Sequence, residues 1–159
     1  MFKSIRIALS MVLALSLFSQ HAVAKRLSDV LAMEEAPASV VFEVLAPSMR
    51  NWERIQPKLT MAIEEIRARF PDLDVAVVSH GAEQFALTSE NERRFPGLHE
   101  GMRRFGTQGI DVHVCETFAS WSDVTADAFP EYIDVSSSGP AQINDYLSLG
   151  YLLIEDFAF

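Results

Sequence analysis

The chain has 159 residues, of which 49% are hydrophobic and 22% charged, so it suits one domain with a real core. Its formal charge is −9, and such a surface repels phosphate backbones and anionic lipids, so nucleic acid is not an expected partner. A single cysteine excludes an internal disulfide, leaving stability to packing and the thiol either as a small apolar filler or as a group with a task.

In chain order, Lys3 and Arg6 precede an apolar run from Ile7 to Phe18, and Ala22-Val23-Ala24 supplies an Ala-x-Ala end. These are the three parts of a secretory signal peptide, and the run is shorter than the roughly 20 apolar residues of a spanning helix. No twin arginine precedes the run, and no cysteine follows the cut. The expectation is cleavage after Ala24, giving a periplasmic or secreted chain with no membrane attachment. Residues 1–24 are then leader, 25–39 a partly ordered arm, and 40–159 the domain. Loss of Lys3 and Arg6 makes the mature chain still more acidic.

Val40 to Leu45 is a β-branched run of strand length, ended by Ala46-Pro47-Ser48. Ile55, Leu59, Ile63, Ile66 and Phe70 then recur at helical spacing, with charges between them, which predicts an amphipathic helix with Pro57 near its first turn. Leu73 to Val78 is a second strand whose unbroken apolar run suits a sheet covered on both faces, and Ser79-His80-Gly81 ends it. A short helix over Ala82 to Leu87 is followed by a charged loop, Thr88 to Pro96, and a helix from Leu98 to Phe105 closed by Gly106. The third strand, Ile110 to Cys115, runs into Glu116-Thr117. Helical turns within Phe118 to Phe129 and a short fourth strand, Tyr132 to Val135, come next. Ser138 or Gly139 is placed to cap a helix with Pro140 at its first position. That helix presents Ile143, Tyr146, Leu147 and Leu149, ends at Gly150, and leads to a fifth strand, Tyr151 to Ile154.

Alternating strands and helices predict an α/β fold with a mostly parallel five-stranded sheet and helices on both faces. Ligands of such sheets gather outside the carboxyl ends of the strands. Three of those ends are chemically rich: His80-Gly81, Cys115-Glu116-Thr117 and Ser136 to Gly139. The topology sets them on one rim, where Cys115 is expected to lie open. His113, two residues before Cys115, shares its sheet face.

Each candidate has two readings. Cys115 is a nucleophile or a buried thiol ending a core strand. His80 is a hydrogen-bond donor and acid/base group or a ring satisfying strand-end backbone, with Gly81 supplying the tight turn. The serines 137 and 138 with Gly139 form an anion-binding turn or an ordinary helix cap. His113, Cys115 and His80 lack the paired spacing of zinc motifs, so no metal is expected. No Walker or Gly-x-Ser-x-Gly sequence occurs, and no cofactor is called for. Paired charges such as Glu64-Glu65 and Arg103-Arg104 read as solvated, and Trp121, Phe118 and Phe129 as core or subunit-contact residues.

With these residues in view, the chain resembles the DsrE/DsrF family, whose members have a YchN-like, flavodoxin-like fold. The resemblance runs from about Val40 to Ile154. It rests on Val77-Val78-Ser79-His80-Gly81, on Gly109-Ile110 leading to Val114-Cys115 with Thr117 behind, on Ser138-Gly139, and on Gly150-Tyr151. It implies that Cys115 carries a persulfide and receives or passes sulfane sulfur, with His80 and nearby amides steadying the anion. Gly81, His113, Glu116, Thr117, Ser137, Ser138 and Gly139 would then line the pocket. It also implies a homo-oligomer, trimer or hexamer, and a protein that donates or accepts sulfur. The characterised relay proteins of that family act in the cytoplasm, whereas this chain carries a leader. The alternative is a non-catalytic small-ligand-binding or assembly module in which Cys115 is structural.

Overall fold

The computed structural model describes residues 24–159. Apart from Ala24, the leader expected over residues 1–24 lies outside the described residues.

Five strands form one all-parallel sheet: β1 (Ser39–Leu45), β2 (Asp74–Ser79), β3 (Ile110–Cys115), β4 (Asp134–Ser136) and β5 (Tyr151–Ala158), in the order β4-β3-β2-β1-β5. From β1 the chain steps outward through β2 and β3 to β4, then returns to lay β5 on the other side of β1. Right-handed crossovers taken in one direction put their helices on one face. Accordingly α2 (Trp52–Arg69), α3 (Pro96–Thr107) and α4 (Glu116–Ser120) share the core that includes Phe42, Val77 and Val112. The one reversed step puts α5 (Gly139–Ser148) on the opposite face, over Val41, Ala76 and Val78.

The arm is tied to the domain. The Lys25 N–H donates to the Leu153 carbonyl of β5 at 2.8 Å, and a five-residue helix, α1 (Leu27–Leu31), buries Val30 against α2. Helix α2 starts earlier than its periodicity predicts, because Trp52 is itself buried and its indole N–H donates to the Glu83 carbonyl at 3.1 Å. Pro57 therefore lies inside α2, past its first turn. The carbonyl deprived of a donor belongs to exposed Glu53, where water can replace the lost bond. Helix α3 runs past Gly106 to Thr107, and Gly109, at φ +69°, makes the left-handed turn into β3. Gly150, at φ +93°, does the same between α5 and β5. Strand β5 continues to Ala158, four residues beyond the expected end, and β4 sits slightly later than expected, at Asp134–Ser136.

Trp121 is not a core residue. It follows α4 directly and is 75% exposed, whereas Phe129 is buried and Phe118 lies between the two.

Candidate functional site

Because every strand is parallel, all five carboxyl ends reach one rim. Side chains alternate along each strand, so Val40, Phe42 and Val44 face α2 and α3 while Val41 and Glu43 face α5. The same alternation sends His113 and Cys115 of β3, and Ser136 of β4, toward the α5 face. The register pairs Ser79 with Val114 and Cys115 with Ser136. One step beyond the last β2–β3 pair, His80 falls beside Cys115. The resulting row on the α5 side of the rim is His80, Cys115 and Ser136, with Glu43 two residues further back, level with Val78.

His80 Nε2 lies 2.7 Å from Glu43 Oε1, with the two side chains 10% and 15% exposed. The ring rests on the first turn of α5, so closely that a Cβ on Gly139 would come within 2.4 Å of the His80 Cβ. Gly139 thus gives His80 room, while Ser138 Oγ caps α5 by accepting from the Ala141 N–H at 3.5 Å. Ser137 acts through its backbone. Its carbonyl accepts from the Thr117 hydroxyl at 2.6 Å and the Thr117 N–H at 3.2 Å, tying the start of α4 to the β4–α5 connection. Glu116 is exposed beside it.

The sulfur is not open on the rim as the sequence suggested. Cys115 is 4% exposed, and its Sγ accepts from the Phe118 N–H at 3.3 Å as the cap of α4. Fully buried Gln84 accepts from the Cys115 N–H at 2.7 Å and donates to the Cys115 carbonyl at 3.3 Å.

Its neighbour Glu83 does the same for the adjacent strand ends. One carboxylate oxygen accepts from the Ala46 N–H at 2.7 Å, the other from the Ser79 hydroxyl at 2.8 Å and the Gly81 N–H at 3.0 Å. Burial raises the Glu83 carboxyl above the ordinary range, outweighing the hydrogen bonds from Gly81, Ser79, Ala46 and its own backbone that oppose the rise. The turn Ala82–Leu87 therefore clamps the ends of β1, β2 and β3. A Cβ at Gly81 would meet Glu83 Oε2 at 2.4 Å and the Ala46 carbonyl at 2.7 Å. Gly81 has φ −106°, so close approach rather than a left-handed turn requires glycine there.

His113 belongs to a second polar group. Ser136 Oγ donates to Gln142 Oε1 at 2.9 Å and lies 3.0 Å from His113 Nδ1, while His113 Nε2 lies 2.7 Å from the Tyr146 hydroxyl. With the serine proton given to Gln142, Nδ1–H is the donor to Ser136 and Nε2 accepts from Tyr146. This neutral ring accords with burial, which lowers the His113 pKa against the opposing charges of Asp134 and Asp111. Burial, followed by the charge of Asp111, raises Tyr146, so its phenol stays a donor.

Of the sequence candidates, the structure thus gathers Cys115, His80, Gly139 and the Thr117–Ser137 contact on one rim, while His113 is engaged deeper on the α5 face. Glu43, Glu83 and Gln84 were not singled out. Glu43 had the look of a polar interruption in a strand, and Glu83-Gln84 of exposed helix residues. Among the described residues, no three of His, Cys, Asp and Glu gather as a metal site requires.

No family model matches the chain, and no curated protein matches it. Among solved structures, the chain is similar to the protein of unknown function MTH1491 from Methanobacterium thermoautotrophicum, at 20% identity and a TM-score of 0.59. The match covers 74% of this chain and 97% of that one. At this identity the likeness establishes the α/β fold alone.

Proposed function

We propose that the chain is an exported carrier of sulfane sulfur of the DsrE/DsrF type, loading and unloading sulfur at Cys115 and working as a homo-oligomer. The observation that carries the reading is a histidine one register step past the last β2–β3 pair, level with Cys115, that is already held by a carboxylate, His80–Glu43 at 2.7 Å. A carboxylate that fixes one imidazole nitrogen orients the ring and supports it as a proton acceptor. The Phe118 N–H on Sγ is the kind of donor that favours a sulfur anion.

In the loading step His80 takes the thiol proton, and the thiolate attacks the terminal sulfur of a polysulfide. One S–S bond forms at Cys115 and one breaks in the donor, which leaves shorter by one sulfur and keeps its two negative charges. The persulfide anion stays on Cys115, and a second thiolate attacking its outer sulfur reverses the process. Loading requires the first turn of α4 to give way, because the thiol is 4% exposed.

Folded protein mixed with sodium tetrasulfide and trapped by alkylation is expected to gain sulfur at Cys115 in the mass spectrum. Glu43→Gln is expected to load more slowly than wild type, and His80→Gln more slowly still. Equal uptake by Cys115→Ser sinks the reading.

The same burial favours a second reading, a binding or assembly module whose cysteine is structural. On that reading iodoacetamide labels Cys115 only after unfolding. Labelling in the folded state, faster than global unfolding, removes it.

A further inference from the structure

We infer that the exposed end of α4 and the hollow beside it dock a basic segment, rich in arginine or lysine, of a partner protein. The partner's role in sulfur exchange rests on the reading above; the docking does not.

Trp121 stands clear of the body, yet it is not a loose side chain. Its indole packs on Phe118 at 5.5 Å between ring centroids, and Phe118 packs on Phe85 at 5.8 Å. The three rings form a column from the turn Ala82–Leu87 out to solvent. A lone exposed aliphatic residue needs no explanation, but a tryptophan held in place is the residue type that most often anchors a protein contact.

The stretches that follow those two segments line a hollow of about 390 Å³, with Thr88, Ser89 and Glu90 on one side and Asp123, Val124 and Asp127 on the other, among others. Three carboxylates therefore line a hollow formed by the residues that directly follow the two ends of the aromatic column in sequence. Arg93 and Arg94 follow Glu90 in sequence, but nothing offsets Asp123 and Asp127 on their own side, since every charged side chain after His113 is acidic. A guanidinium fits both parts, stacking on an indole face while pairing with carboxylates, and its weak hydration lowers the cost of burying it. A second copy of this chain, net charge −9, meets like charge here. The face also adjoins the thiol, since α4 begins at Glu116 and Phe118 donates to Cys115 Sγ.

The test is fluorescence anisotropy of a labelled peptide of alternating arginine and glycine, with the glutamate–glycine peptide as control. The basic peptide is expected to bind at low ionic strength and to weaken toward about 0.15 M salt, while the acidic one does not bind. Trp121→Ala and the double change Asp123→Asn with Asp127→Asn are each expected to weaken binding about tenfold. Asparagine tolerates the left-handed φ of +57° at position 123, so that variant keeps its turn.

Glu64→Gln with Glu65→Gln removes the same number of exposed charges from α2 and should leave affinity within about twofold. An equal loss in both double variants means that net charge alone acts and overturns the proposal. Two further results also overturn it. One is spermidine competing as well as the peptide; the other is self-association of the free protein that Trp121→Ala abolishes. Cys115→Ser is expected to bind the peptide like wild type, so a failure of docking and a failure of sulfur loading remain separate results.

Discussion

On one face of the sheet, α2, α3 and α4 bury Phe42, Ile66, Val77 and Met102 in a continuous apolar layer. On the other, α5 alone covers Val41, Ala76 and Val78, and the strands and the ends that follow them also carry Glu43, His80, His113 and Cys115. The difference follows from the order in which the strands are laid down. Successive steps in one direction stack their crossovers on one side, and the single return step leaves one helix for the other. Apolar burial is therefore concentrated on the thicker face, where fully buried polar groups such as Gln84 and His99 are each hydrogen-bonded, and half-buried polar groups gather on the face that one helix covers.

The comparison breaks most directly on a matched pair of deletions. Ile66→Ala, in the thick layer, is expected to cost about 4 kcal/mol and Ile143→Ala, on the inner side of α5, about 2 kcal/mol, because a cavity near solvent relaxes more easily. Urea denaturation of both variants measures the difference. Equal costs, or the reverse order, mean that the two faces are equally well packed.

Next in size is the clamp that reaches across the rim. Gln84→Leu keeps the volume but strands the buried N–H and carbonyl of Cys115, two groups whose loss of partners costs about 3 kcal/mol together. The same variant should let iodoacetamide reach Cys115 faster in the folded state. Destabilisation without faster labelling separates the clamp from thiol access. A smaller cost, about 2 kcal/mol, is expected for Gly139→Ala, whose new methyl group meets the His80 ring. Sulfur uptake by that variant should fall with the displaced imidazole.

How much of this was legible in the sequence depends on the distance over which each signal acts. Apolar alternation and helical spacing are local, so Val40–Leu45, Leu73–Val78 and Ile110–Cys115 were readable as strands of a parallel sheet, and their rim followed from chain order. His80 and Cys115 could be set on one edge by that logic alone. Glu43 could not, because its partner lies 37 residues away and nothing in Val40 to Leu45 distinguishes a paired glutamate from a solvated one. Glu83 and Gln84 were hidden for the opposite reason. Buried glutamate is rare, so a Glu-Gln pair in a short helical stretch defaults to exposure until the strand ends it holds are seen. The closed thiol was missed because the pattern of Ile110 to Cys115 sets the sulfur at a strand end without showing what packs over it. Of the two readings of Trp121, core or subunit contact, its exposure removes the first, because its position after a five-residue helix, with the chain turning away at Asp123, leaves nothing in its own chain among the described residues to cover it.

The smallest expected effect tests the polar side of the comparison through pH. Burial lowers the His113 pKa below its usual 6.5, although Asp134 and Asp111 oppose the shift. Its ring is otherwise faced by Tyr146, and by Ser136 with Gln142 behind it. A histidine depressed in the folded state is protonated first in the unfolded chain, so stability rises with pH in this window. Its contribution is intact above about pH 6.5 and is lost as pH falls through the range between the unfolded and folded values. Glu83 acts with the opposite sign. Its raised carboxyl holds a proton better when folded, so its contribution is present below 4.5 and declines as pH rises. The two partly cancel in wild-type protein, and a flat stability profile in that protein alone decides nothing. The informative quantity is the difference between wild type and His113→Gln, followed by denaturant midpoint from pH 7 downward. That difference is expected to move in favour of the variant as the solution is acidified. A gap that stays constant with pH means that His113 titrates alike in the folded and unfolded chain, and that the α5 face is wetter there than its burial implies.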